Sequence, residues 1–125
     1  MATNYKAIAK KLKFEGRAFI NGKYVNAIDG KKFETINPAT GEKLCAVAKC
    51  NHKDVDLAVK VSRKAFNSGV WSRTSPEFRK DVLLKFAELL RQTGEENSVL
   101  ECVDTGKLIG DCINEVANDA PMHFQ

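Results

Sequence analysis

The sequence predicts an α/β chain: a basic leading helix, a small antiparallel β-hairpin or sheet, and then four further helices. Two observations carry that prediction. The spacing of apolar residues changes at Asn51 from a period of 2 to a period of 3.6, the difference between a pleated strand and a helix. Beyond Asn51, helix start and stop signals punctuate the chain, with Asn51 and Ser75-Pro76 as starts and Gly69 and Gly94 as stops.

A length of 125 residues allows one modest domain. With 43% apolar and 29% charged residues the composition is that of a folded protein, and disorder does not describe the whole. The formal charge of +4 is confined to residues 1–17, where Lys6, Lys10, Lys11, Lys13 and Arg17 face Glu15 alone, and the rest of the chain is neutral overall. A nucleic-acid binder spreads its basic face over the folded body and interleaves aromatics, so no nucleic-acid partner is expected. Residues 1–17 are read as a basic amphipathic helix with Tyr5, Ile8 and Leu12 on one face. The segment lacks the Ser and multiple Arg of a transit peptide and the apolar core of a secretory signal. No run is long enough to span a bilayer, so a membrane partner is not expected and the location is read as cytoplasmic. Cys45, Cys50, Cys102 and Cys112 are then reduced thiols by default, and their spacings match no zinc motif.

Phe19–Val25 reads as a strand, with a tighter hairpin turn possible at Asn21-Gly22. Residues 26–31 form a turn, and Lys32–Asn37 a second strand. Asn37-Pro38-Ala39-Thr40-Gly41-Glu42 must be a loop, because Pro38 drives Asn37 out of the helical region. Leu44–Lys49 alternates as a third strand. Asn51 and Asp54 stand at capping-box spacing, ahead of an apolar stripe of Val55, Ala58, Val59, Ala65 and Phe66 that ends at Gly69. Ser75-Pro76-Glu77 opens the next helix, whose stripe of Phe78, Val82, Phe86, Leu89 and Leu90 needs a partner surface and stops at Gly94. A third helix covers Glu95 to about Thr105 with Val99, Leu100 and Val103 inward; a fourth runs from Gly110 to about Asp119, where Pro121 breaks or kinks it.

Reaction machinery is missing from the pattern. The eight glycines make neither a G-x-G-x-x-G nor a Walker loop. Gly106 and Gly110 read as a boundary pair. Cys102 and Cys112 have acidic sequence neighbours, which oppose the thiolate, and small buried hydrophobe is the expected role of most of the cysteines.

Five segments, read together and in order, nevertheless point to one family. Phe19–Val25 (FINGKYV), Phe33–Glu42 with its INPATGE run, Asp54–Val59, Trp71-Ser72 with Arg79, and Asp104-Thr105-Gly106-Lys107 resemble the aldehyde dehydrogenases in order and spacing. The leading helix and the stretch 106–112 are most similar to members acting on γ-glutamyl-γ-aminobutyraldehyde, although Leu108 stands where the family usually has Pro. The resemblance implies that residues 18–125 are the N-terminal segment of a Rossmann-type NAD(P)-binding domain. It implies oxidation of an aldehyde substrate to a carboxylic acid with NAD or NADP, in a parent that is a homo-oligomer. The catalytic Cys, the general-base Glu and the pyrophosphate turn of the family have no match here. No catalytic or cofactor-binding residue is therefore expected in this segment, which is expected to be inactive alone. One family site does reach it: a monovalent cation held by backbone carbonyls at Thr35 and Ile36 and by Asp104. The competing reading of Asp104 is a carboxylate bonded to local amides of the DTGK turn. A different class, a stand-alone module docking on full-length dehydrogenase subunits, and a small cation or zinc binder complete the alternatives.

Overall fold

Two glycine-bearing turns and one buried carboxylate organise the strands. The computed structural model describes residues 3–124; residues 1–2 of the expected leading helix, and Gln125, lie outside the described residues. The chain divides into two compact units: Phe14–Thr35 with Lys43–Ser75, and Ile36–Glu42 with the residues up to Lys13 and those from Pro76 onward.

In the first unit, β1 (Ala18–Ile20) and β2 (Lys23–Val25) pair antiparallel with Ile20 opposite Lys23. The single strand expected over Phe19–Val25 is thus a hairpin. Asn21 (φ 54°) and Gly22 (φ 74°) both occupy the left-handed region, the combination a two-residue turn requires to match strand twist. Phe19 meets Tyr24 edge to face at 5.1 Å, and the Arg17 guanidinium lies 5.6 Å from the Tyr24 ring centre. Arg17 also donates through Nε and a terminal nitrogen to the Glu15 carboxylate, at 2.8 and 2.5 Å. That fork lowers the Glu15 pKa from 4.5 to about 2.

β3 (Lys32–Ile36) and β4 (Lys43–Ala48) form the second hairpin, which Glu34 and Lys43 join as an ion pair. The Ala48 amide donates to the Gly16 carbonyl at 2.7 Å and the Lys49 amide to Lys31 at 2.9 Å. A Cβ on Gly16 would lie 2.2 Å from the Ala46 carbonyl oxygen, so only glycine lets the backbone run this close to β4. The leading helix, α1, covers only Tyr5–Ala9 of the expected 1–17. Asn4 caps it by accepting the Ala7 amide at 3.1 Å.

α2 (His52–Ser68) begins in the expected capping box and ends at Gly69 with φ 78°. Asn51 Oδ1 accepts the Lys53 amide at 2.8 Å and Asp54 Oδ2 accepts the Asn51 amide at 2.8 Å. Asp54 is only 2% exposed. Its other oxygen, Oδ1, accepts the Ile28 amide at 2.9 Å, tying the helix start to the turn between β2 and β3. Burying a carboxylate is costly unless its lone pairs are used, and here both oxygens are used.

The second unit is helical apart from the residues around the 37–42 loop. α3 (Pro76–Gln92) buries Ala87, while Phe78, Val82, Phe86 and Leu89 of its stripe stay 40–51% exposed. Phe86 packs edge to face on Phe124 at 4.9 Å. α4 (Gly94–Thr105) buries Ser98 and Val99 and leaves Leu100, expected inward, exposed. Gly94 is the first residue of α4 rather than the stop of α3. A Cβ there would meet Ala117 Cβ at 2.7 Å, so Gly94 serves close helix approach. Ser98 Oγ donates to the carbonyls of Gly94 and Cys112 at 2.7 and 3.2 Å.

The last helical run starts as α5 (Ile109–Cys112), widens to a π segment over Ile113–Asp119, and closes as α6 (Ala120–Met122). Pro121 does not break the run outright: it is buried, and the helix continues one residue past it to Met122. A proline has no amide to donate and its ring crowds the carbonyl four residues back. The wider register relieves that conflict, and the Ala120 amide reaches Glu115, five residues back.

The first unit offers two tests. Because the folded state depresses the Glu15 pKa, the ion pair's contribution is complete above pH 4.5 and is lost as pH falls through about 2. An NMR titration should show the Glu15 carboxyl titrating well below the usual carboxylate range, and Arg17→Ala, which removes the fork but leaves the Arg17 amide bond, should move it part of the way back. Asp54→Ala should destabilise the chain by about 2–3 kcal/mol, against about 1 kcal/mol for Asn51→Ala, when urea midpoints are compared. Equal losses would mean that the Ile28 bond contributes nothing.

Candidate functional site

The Asn37–Glu42 loop and the Asp104–Lys107 turn, both in the second unit, are the segments that the family resemblance marks. Asn37 organises its loop from both ends. Its side-chain Oδ1 accepts the Ala39 amide at 2.9 Å, its carbonyl accepts the Gly41 amide at 2.8 Å, and its own amide donates to the Glu42 carbonyl at 2.8 Å. Gly41 takes φ 73°, and Thr40 Oγ1 accepts the Glu42 amide at 3.2 Å. Asn-Pro at the start of such a loop follows from chemistry: Asn mimics a turn with its side chain, and Pro fixes φ.

α4 ends where Gly106 takes φ 77° and donates its amide to the Cys102 carbonyl at 3.0 Å. A Cβ on Gly106 would lie 2.7 Å from Pro38 Cγ. The two turns therefore rest on each other, proline ring against bare glycine backbone. Gly110, four residues on, is the second residue of α5 and has open space around it, so the two glycines flank the boundary between α4 and the last helical run. Thr105 Oγ1 donates back to Glu101 at 2.7 Å and accepts the Lys107 amide at 3.4 Å. Lys107 Nζ sits 2.6 Å from Glu115 and 3.4 Å from Glu101, and these carboxylates, Glu115 foremost, raise the lysine pKa above its usual range.

Of the expected cation ligands, Thr35 is a half-buried residue of β3 in the first unit; Ile36 ends that strand and falls in the second unit with Asp104, an exposed residue near the end of α4. The cation reading of these three rests on the sequence. Among the described residues no group of three or more His, Cys, Asp and Glu side chains is placed to hold a metal ion, and no helix is long and apolar enough to cross a membrane. All four cysteines are free thiols. Cys112 is fully buried, and that burial, with Cys102 and Glu101 nearby, pushes its thiol pKa up, away from the reactive thiolate. Cys102 Sγ donates to the Lys107 carbonyl at 3.1 Å, which employs that thiol in the turn.

Two structural residues carried little signal in the sequence. The capping role of Asp54 is legible from Asn51, but its bond to Ile28 spans 26 positions. Ser98 could have been suspected, being a small polar residue four positions from both Gly94 and Cys102 on one helix face.

The architecture and the paired turns define an α/β scaffold, and comparison with known proteins gives its family. The Aldehyde dehydrogenase family model matches residues 24–122. Aldehyde dehydrogenase 1 of Tanacetum cinerariifolium is 50% identical over 104 residues, covering 83% of this chain and 21% of the relative. The solved P. syringae AldA indole-3-acetaldehyde dehydrogenase, a mutant in complex with NAD+ and IAA, aligns with a TM-score of 0.92 at 41% identity, over 96% of this chain and 24% of that one. The gamma-glutamyl-gamma-aminobutyraldehyde dehydrogenase from Burkholderia cenocepacia aligns with a TM-score of 0.91 at 41% identity, over 94% of this chain and 24% of that one. The chain belongs to the aldehyde dehydrogenase family. It spans about a fifth of the length of the curated relatives it matches.

The contact between the turns is testable. Gly41→Ala costs only the strain of its positive φ, about 1 kcal/mol, since nothing lies within 4 Å of the new Cβ. Gly106→Ala adds to that strain the clash with Pro38, about 1–3 kcal/mol more. Thermal denaturation of the two variants should separate them by that margin.

Proposed function

We propose that this chain is the leading scaffold segment of an NAD(P)-dependent aldehyde dehydrogenase, flanking its Rossmann-type domain. In that reading the longer protein oxidises an aldehyde to the carboxylic acid with hydride passing to nicotinamide, acts in the cytoplasm and assembles as a homo-oligomer. The observation that carries the proposal is the family match over 24–122 together with coverage of about a fifth of each relative. The solved relative in complex with NAD+ supports the cofactor, and the Burkholderia cenocepacia structure supports an amino-aldehyde of the γ-glutamyl-γ-aminobutyraldehyde kind as substrate. Four free thiols suit a reducing compartment. The monovalent-cation role of Thr35, Ile36 and Asp104 belongs to the same proposal and comes from the resemblance.

The residues present do not fit a dinucleotide site. Gly22, Gly30 and Gly41 sit at turns, and Gly69 and Gly106 end helices. None opens backbone amides at a strand-to-helix junction, as a pyrophosphate cradle requires. No step of the oxidation is therefore assigned to these side chains. Their work is mechanical, holding the Asn37 loop against the Gly106 turn and keeping the hairpins in register.

Purified residues 1–125 should give no aldehyde-dependent NADH formation and no NAD binding by calorimetry. A longer protein carrying this segment should give both. Turnover by the isolated segment would overturn the scaffold reading.

A further inference from the structure

We propose that Asn21 is a site of spontaneous backbone modification, converting to aspartate and isoaspartate through a cyclic imide. The reaction needs the amide nitrogen of the following residue to reach the Asn side-chain carbonyl, and three features of the β1–β2 turn favour that approach. Gly22 carries no Cβ, and nothing lies within 4 Å of where one would be. The ladder ends at the Ile20–Lys23 pair, so the Gly22 amide lies outside it. Both turn residues are exposed, and a hairpin of three-residue strands opens at little cost. Asn21 is the only asparagine in the sequence followed by glycine. The others precede residues with a Cβ, which crowds the attack.

The chemistry balances with water alone. The deprotonated Gly22 nitrogen attacks Asn21 Cγ and forms a new bond to it. The bond from Cγ to the amide nitrogen Nδ2 then breaks, and that nitrogen takes up a proton and leaves as ammonia. Water next opens the five-membered imide at either carbonyl. One opening leaves an ordinary aspartate at position 21. The other routes the backbone through the side-chain methylene, adding one carbon between residues 21 and 22. That product cannot keep both central residues of a two-residue turn in place, so the Ile20–Lys23 register and the Phe19–Tyr24 ring contact are lost with it.

The test incubates the intact protein in mildly alkaline buffer, folded in one arm and unfolded in urea in the other, and maps tryptic peptides by mass. Cleavage after Arg17 and Lys23 isolates Ala18–Lys23 with Asn21 as its only amide side chain. In the folded arm Asn21 should convert at least about tenfold faster than exposed Asn26, which precedes Ala27. An isoaspartyl methyltransferase should then label the Ala18–Lys23 peptide. Asn21 staying intact in the folded arm while it converts in urea, or converting no faster than Asn26, would overturn the proposal.

Discussion

The Asp54 carboxylate is the joint on which the strand-bearing unit depends. One oxygen accepts the Asn51 amide at the helix start and the other the Ile28 amide from the turn between the hairpins. The group is almost wholly buried, where an unused acceptor would cost on the order of 1–3 kcal/mol. Its place beside the positive end of α2 adds favourable electrostatics. Local order and long-range order meet in that one side chain. The capping box decides where α2 begins, and the Ile28 bond decides which turn it begins against. From there the turn hands its position to β4 through the bond from Lys49 to Lys31.

The helical unit is held differently, by the absence of side-chain bulk. Gly94, Ser98, Ala117 and Cys112 are small, and they allow α4 to lie close to the final helical run. Ser98 then directs its hydroxyl at two carbonyls. Larger apolar groups lie elsewhere: Phe78 and Phe86 of α3 are about half exposed, and Leu108 is 75% exposed. Among the described residues Phe124 packs on Phe86, yet the α3 stripe stays about half exposed. This distribution suits a segment whose large side chains face polypeptide of a longer protein.

Much of this was legible in the sequence because it is written in short-range chemistry. Asn21-Gly22, Asn51 with Asp54, Gly69, Ser75-Pro76 and the Asn37 loop each act within a few residues, and each marks its turn or helix boundary. Readings that depended on distant partners fared worse. Gly94 has the local look of a helix stop, and only Ala117 shows why glycine is required there. The leading helix covers only Tyr5–Ala9, a boundary that the lysine pattern of residues 6–13 does not encode. For the candidate site, the two motifs were legible one by one, and the contact of Pro38 with Gly106 was not.

The π segment over Ile113–Asp119 has a consequence for how this region tolerates change. A helix locally wound with more residues per turn holds a surplus residue without displacing the α-helical ends on either side. Loss of a single codon within it would let the run tighten to ordinary pitch and leave the flanking α-helical ends facing as before. Pro121 and Phe124, which lie beyond it, would then keep their neighbours. Single-residue length variation is thus absorbed at this position and does not pass to the elements on either side.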